Sequence, residues 1–254
     1  MGKLTIIGIG PGDRAHMTSE AVEALLEADL VCGYTRYVEL VADLIGDTET
    51  IATGMTGEIE RCRAALDAAA SGRSVAMVCS GDAGVYGMAG LVYELAGGNP
   101  DVDVRVVPGV TAALSGAALL GAPIAHDFCT ISLSDLLTSW EVIERRLAAA
   151  ASAGFCIVLY NPASKHRPDH LRRACDVLIE HKPPETVCGI ARNIGRDGED
   201  SLVCTLAELR DLQVDMGATV FIGNAGTRVI DGKMVTPRGY EAKPEWEDIR
   251  GADR

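Results

Sequence analysis

Along the first half of the chain, apolar residues fall into short unbroken runs, each followed by a stretch in which they recur every three or four positions. The runs are LTIIGIG, DLVCG, ETIATG, SVAMVCSG and VDVRVVPG; the periodic stretches are SEAVEALLEA, RYVELVADLI, EIERCRAALDAAASG, GMAGLVYELAGG and TAALSGAALLG. A run without polar alternation suits a strand buried on both faces, and a 3.6-residue period suits an amphipathic helix. Residues 3–122 therefore predict five strands alternating with helices, an α/β pattern with a mostly parallel sheet covered on both sides. Thr18 or Ser19 stands ready to cap the first helix.

GAPIAHDFC interrupts this rhythm with Pro123 and a polar pair, and marks a candidate hinge. Beyond it the pattern predicts strand FCTISLS, helix WEVIERRLAAAASA, strand FCIVLYN, helix HLRRACDVLIEH and strand TVCGIARN. Short strands SLVCTL and TVFIGN follow, then a hairpin TRVIDGKMV that turns at Asp231-Gly232. Closely spaced late strands imply a mixed sheet. The expected division is residues 1–122, residues 123–240 and a polar tail, 241–254, that has no period.

Composition narrows the function classes. Among 254 residues, 48% are hydrophobic, yet no apolar run approaches the ~20 residues that cross a bilayer, so no membrane segment is expected. MGKLTIIGIG passes straight into a strand without a secretory cleavage region, and a cytoplasmic location is the expectation. The net charge of −13 disfavours nucleic acid, which needs a basic stripe. It also repels small anions at long range, so an anionic ligand would need local arginines or lysines. Eight cysteines lie 13 or more residues apart with no CxxC, which argues against zinc and for reduced, core-filling thiols. His166 and His170 have i,i+4 spacing, but Pro168 lies between them and no third ligand is near, so no structural metal is assigned.

GIGPGD, residues 8–13, looks at first like a dinucleotide loop. Gly8 and Gly10 fit GxGxxG, but Asp13 occupies the third glycine position, and Pro11 lacks the N–H that a pyrophosphate would want. The second strand ends in Cys32-Gly33-Tyr34, with no carboxylate for a ribose. A nucleotide-binding oxidoreductase is thus the reading from a different class, carried by two glycines alone. SGDAGVYG (80–87) and PGVTAALSG (108–116) follow the fourth and fifth strands, so three small-residue loops reach the carboxyl rim of one sheet, where open α/β sheets bind ligands.

GIGPGD, SGDAGVYG, PGVTA, LYNP and TVFIGN together resemble the tetrapyrrole methylase family, over roughly residues 3–240. GYTRYVELV, SGDAGVYGMAG, HDFCTISLSDLLTSWEVIERRL and GKMVTPRGYE are similar to the branch that methylates C17 of a corrin precursor while contracting its ring. Methylases acting at C11 or C20 are the nearest alternative. The resemblance implies two αβα domains with mixed, largely parallel sheets, a donor site in the cleft between them, a homodimer, S-adenosylmethionine as methyl donor and a tetrapyrrole as substrate. By the same resemblance, donor contacts fall on Pro11, Gly81, Asp82, Val85, Thr111, Ala112, Asn161 and Ile194. Ala83 stands where relatives usually have proline, and Gly84 beside it supplies backbone freedom.

Methyl transfer from a sulfonium to carbon is an in-line displacement, which asks chiefly for alignment and exclusion of water. That accounts for a chain without a hydrolytic motif. Ring contraction additionally moves a proton, for which Asp82, His126, Asp127, Ser132 and Asp135 are candidates. Asp127 also suits a turn and Asp135 a helix cap. The carboxylates of a tetrapyrrole call for cations in rim loops: Arg14, Arg36, Lys165, Arg192, Arg228 and Arg238 are available, with Gly10 placed near the ligand.

Overall fold

The computed structural model describes residues 1–246; residues 247–254, most of the expected tail, lie outside the described residues. The chain divides into two compact units: Met1–Ser115 with Ile194–Asp197, and Gly116–Asn193 with the residues from Gly198 onward.

In the first unit, the strands are β1 (Gly2–Gly8), β2 (Leu30–Tyr34), β3 (Glu49–Thr53), β4 (Ser74–Cys79) and β5 (Val102–Val107). They form one sheet in the order β3-β2-β4-β1-β5, parallel throughout. Helices α1 (Ser19–Leu26), α2 (Thr35–Glu39), α3 (Ala42–Ile45), α4 (Glu58–Ala70) and α5 (Ala89–Ala96) provide the crossovers. Central β1 shows why its sequence lacks polar alternation. Leu4 and Ile6 join a core with Leu30, Cys32, Met77 and the α4 and α5 side chains Ala65 and Val92. Ile7 and Ile9 join another with Val31, Val78 and the α1 to α3 side chains Leu25, Val38 and Ile45. Each fully buried aliphatic side chain contributes ~1.5–3 kcal/mol, so both faces select for apolar residues. Thr18 caps α1 through its hydroxyl, which accepts from the Ala21 amide at 3.1 Å. RYVELVADLI, expected as one helix, is instead α2 and α3, interrupted at Val41.

Helix α6 (Ala112–Leu120) spans the division, which falls between Ser115 and Gly116 rather than at 122/123. From Gly116 on, the chain packs on second-unit side chains: a Cβ at Gly116 would lie 3.0 Å from the Phe221 ring. Pro123 is buried, and its carbonyl accepts from the buried Thr236 hydroxyl at 2.6 Å, so the polar break is anchored within the second unit.

The second unit contains β6 (Gly121–Ala122), β7 (Phe128–Ser132), α7 (Trp140–Ser152), β8 (Cys156–Tyr160), α8 (His170–Ile179), β9 (Val187–Arg192), β10 (Asp200–Thr205), α9 (Leu206–Asp211), β11 (Ala218–Ile222), β12 (Arg228–Ile230) and β13 (Lys233–Val235). Its main sheet runs β10-β9-β11-β8-β7. Only β7 and β8 pair in parallel, so the sheet is mixed, as the close spacing of the late strands implies. Ile143, Leu147, Leu171, Leu178 and Leu209 of α7 to α9 bury one face of it. β12, β13 and β6 form a small second sheet, with the expected turn at Asp231-Gly232, both at positive φ (49° and 73°). Helix α9 escapes the hydrophobic pattern because it is only six residues long, but Thr205 and Glu208 close a capping box around its start. All eight cysteines are free, six of them buried. Among the described residues no helix is long and apolar enough to cross a membrane.

Candidate active site

A parallel sheet puts the carboxyl ends of its strands on one rim, and there the first unit gathers three glycine loops. Beyond β1 and β4 the chain continues into a bridge between Gly10 and Gly81, whose amides and carbonyls exchange bonds of 3.0 and 2.7 Å. Both residues have positive φ, 72° and 68°, which costs a side-chain-bearing residue ~1–2 kcal/mol. The third loop lies equally close. A Cβ on Gly109 would stand 2.2 Å from the Gly81 carbonyl oxygen and 2.5 Å from that of Gly8. The glycines thus serve first to let three backbones touch.

Asp82 ties these loops together. One carboxylate oxygen accepts the Gly84 and Val85 amides at 2.8 and 3.2 Å, and the other accepts the Gly109 amide at 3.0 Å. With both oxygens engaged by backbone donors, the charge organises the rim, and general base chemistry is not its evident use. Asp13, at the missing third glycine, accepts the His16 amide at 3.0 Å and caps a single turn, Arg14–His16. Its carboxylate therefore has a local structural use.

A fourth segment completes the rim. Residues 194–197 leave the end of β9 and pack with the first unit. Ile194 is buried, and Arg196 donates from Nε to the Pro11 carbonyl at 2.8 Å and from Nη2 to the Ser80 hydroxyl at 2.7 Å. Gly12 is needed here: its Cβ would lie 2.4 Å from Arg196 Cγ. The rim of the first unit thus brings together Gly10, Pro11, Gly81, Asp82, Val85, Thr111, Ala112 and Ile194. Gly10, Pro11, Gly81 and Ile194 are buried, and the other four are half-buried. Arg14 and Arg36 are exposed.

In the second unit, Ser132 ends β7 and Asn161 follows β8. Asn161, at φ 53°, donates from Nδ2 to the Ser132 hydroxyl at 2.9 Å, and that oxygen also accepts the Ser134 amide at 3.2 Å. Asp135 follows in the same loop, with Oδ2 3.0 Å from Nε2 of His170. His170 opens α8, is buried and packs edge-on against Trp140, with ring centroids 5.1 Å apart. The 3.0 Å contact sets the ring nitrogen directly beside the carboxylate. His170 beside it holds the Asp135 carboxyl below the usual carboxylate range. Ser132 and Asn161 thus form one bonded pair, and Asp135, a few residues on, faces a histidine that its sequence spacing suggested only as an incomplete metal pair.

Other candidates lie apart from these residues. His126 and Asp127 precede β7, at the opposite end of the strand from Ser132; a five-residue strand separates its ends by ~13 Å. Both are exposed, and His126 Nδ1 accepts the Asp127 amide at 2.8 Å. Arg192, at the end of β9, donates to Asp200 at 3.2 Å. Lys165, Arg228 and Arg238 are exposed. Among the described residues no three His, Cys, Asp or Glu side chains converge as metal ligands. Arg196 is the residue that sequence reasoning missed, since nothing in GRDG separates it from a surface side chain; His170 drew notice only for its spacing from His166.

An all-parallel sheet whose rim is built from three touching glycine loops, followed by a mixed second sheet, agrees with the fold that the resemblance to the tetrapyrrole methylases implies. Residues 3–210 match the profile of the Tetrapyrrole (Corrin/Porphyrin) Methylases, and the chain belongs to that family. It is 52% identical over 238 residues to the probable cobalt-factor III C(17)-methyltransferase of Salmonella typhimurium, covering 93% of this chain and 99% of that protein. It is 42% identical over 248 residues to the precorrin-3B C(17)-methyltransferase of a Sinorhizobium species, covering 94% and 97%. The crystal structure of the methyltransferase CobJ superposes with a TM-score of 0.87 at 37% identity, covering 93% of this chain and 100% of that one.

Proposed function

We propose that this chain transfers a methyl group from S-adenosylmethionine to C17 of precorrin-3B or of cobalt-factor III and promotes contraction of the macrocycle, a step of cobalamin biosynthesis. The observation that carries the reading is the 52% identity that extends over 99% of the Salmonella relative. The rim of the first unit supports it chemically. Backbone carbonyls and amides of the three loops, with Val85 and Ala112 as half-buried apolar neighbours, suit a donor that needs holding more than activating. In the transfer, C17 attacks the donor methyl, the carbon–sulfur bond breaks, and the neutral thioether S-adenosylhomocysteine leaves.

In this reading Pro11, Gly81, Asp82, Val85, Thr111, Ala112 and Ile194 hold the donor, Asp82 acting by fixing the loops. Asn161 works through Ser132, to which it is bonded. Proton handling during contraction falls to half-buried Ser132, at the end of β7, and half-buried Asp135, in the loop that follows, in preference to His126 and Asp127. Gly10, Arg14, Arg36, Lys165, Arg192 and Arg238 are the substrate-side assignments. The reading includes a homodimer and a cytoplasmic location; sedimentation at twice the 26.7 kDa chain mass checks the first.

The test is direct. The purified protein, given methyl donor with precorrin-3B or cobalt-factor III, should yield a product one methylene mass heavier with the absorption of a contracted ring. Methylation without contraction would move the assignment to a C11 or C20 methylase. Calorimetric binding of NADH in place of S-adenosylhomocysteine would restore the oxidoreductase.

A further inference from the structure

We propose that Arg196 is the centre of a carboxylate-binding subsite on the rim of the first unit. The inference rests on the methyltransferase reading above and goes beyond its residue assignments.

The starting point is an imbalance of charge. The chain carries 36 acidic against 23 basic residues, yet no acidic side chain among the described residues comes within 4.0 Å of Arg196, Arg61 or Arg36. Arg196 is half-buried and Arg61 is 4% exposed. A desolvated cation without a counter-ion is costly, and an anionic ligand relieves that cost. Arg61 is held at the end of β3, where Nη1 donates to the Thr53 hydroxyl at 2.6 Å. Burial lowers the pKa of Arg196, and both guanidinium charges act on the Tyr37 hydroxyl, which burial pushes up.

Geometry makes Arg196 the recognition group. Nε is engaged by the Pro11 carbonyl and Nη2 by the Ser80 hydroxyl, which fixes the plane of the guanidinium, while Nη1 has no protein partner among the described residues. A fork immobilised in advance loses little entropy when a carboxylate docks on it. Two sources supply such a group: the methionine moiety of the donor and the acid side chains of a tetrapyrrole.

The experiment compares Arg196→Met with the parent by calorimetry and fluorescence titration against three probes. S-adenosylhomocysteine carries a carboxylate, 5′-methylthioadenosine keeps the adenosine thioether without it, and uroporphyrin III presents acetate and propionate side chains. The expected result is a loss of about 10- to 100-fold for one carboxylate probe, with methylthioadenosine unchanged. Loss confined to S-adenosylhomocysteine assigns the subsite to the donor; loss confined to uroporphyrin assigns it to the substrate. Unchanged affinities overturn the proposal. So does an equal loss for methylthioadenosine, because Arg196 would then only be supporting the loop at Pro11. If the Met variant does not fold, Ser80→Ala releases the guanidinium plane and carries the same comparison, with an expected loss of about 2- to 10-fold. A parent protein that binds neither S-adenosylhomocysteine nor uroporphyrin overturns the methyltransferase reading itself, before any variant is made.

Discussion

Asp82→Asn separates the two uses an aspartate has at this rim. The substitution keeps the shape but replaces one oxygen with an N–H donor, so at least one of the three amides of Gly84, Val85 and Gly109 loses its acceptor. A hydrogen bond to a charged group is worth about 1.5–3 kcal/mol net, and leaving the amide unsatisfied adds to the loss. The bond retained is weaker without the charge. The expected cost is therefore about 2–4 kcal/mol, concentrated in the first unit, together with weaker donor binding as the 80–87 and 108–111 loops separate. Urea unfolding followed by far-UV circular dichroism reads the first effect and calorimetry with S-adenosylhomocysteine the second. Because two compact units need not unfold together, the transition midpoints should be fitted separately. An Asn variant with the parental midpoints and donor affinity but no turnover would refute the structural role and make Asp82 a proton carrier.

Gly109→Ala should cost ~3 kcal/mol or more, at the upper end for overpacking, because its Cβ would meet two backbone oxygens that have no room to retreat; a wild-type melting temperature would contradict the close approach. For Asp135, a carboxyl held below its unfolded value stabilises fully above the ordinary carboxylate range, and that contribution disappears as the pH falls through its lowered folded value. The stability difference between the parent and Asp135→Asn should thus be constant above about pH 5 and shrink toward pH 2; a difference that grows on acidification would reverse the argument. Burial pushes the thiols of Cys32 and Cys175 up to about 12 and those of Cys79 and Cys204 up to about 11. A thiol reagent at pH 8 should accordingly react slowly with the native protein, first at half-buried Cys129 and Cys204, and find all eight thiols after unfolding. Rapid native labelling of the buried six would show that the cores open readily.

The α/β class, the parallel first sheet, the mixed second sheet and the Asp231-Gly232 hairpin were all legible in residue order. Those features are local: the period of apolar positions tells strand from helix, and unalternated runs such as LTII require burial on both faces. The glycine loops were legible as a group, and so were the departures at Pro11 and Asp13 that weigh against a dinucleotide. What residue order could not reveal was which side chains spend their chemistry on the fold. Asp82 reads as an acid in a cleft loop, and only tertiary structure brings the Gly109 amide, 27 residues away, to its second oxygen. Strand polarity likewise separates His126 and Asp127 from Ser132, although the chain lists them within seven residues. Arg196 is the clearest case. It is a polar residue in an exposed-looking turn, and it becomes a half-buried cation without a counter-ion among the described residues because the segment after β9 packs against Pro11 and Ser80. Sequence period determines which residues are buried, but charge and hydrogen-bond partners are long-range properties that only the folded chain decides.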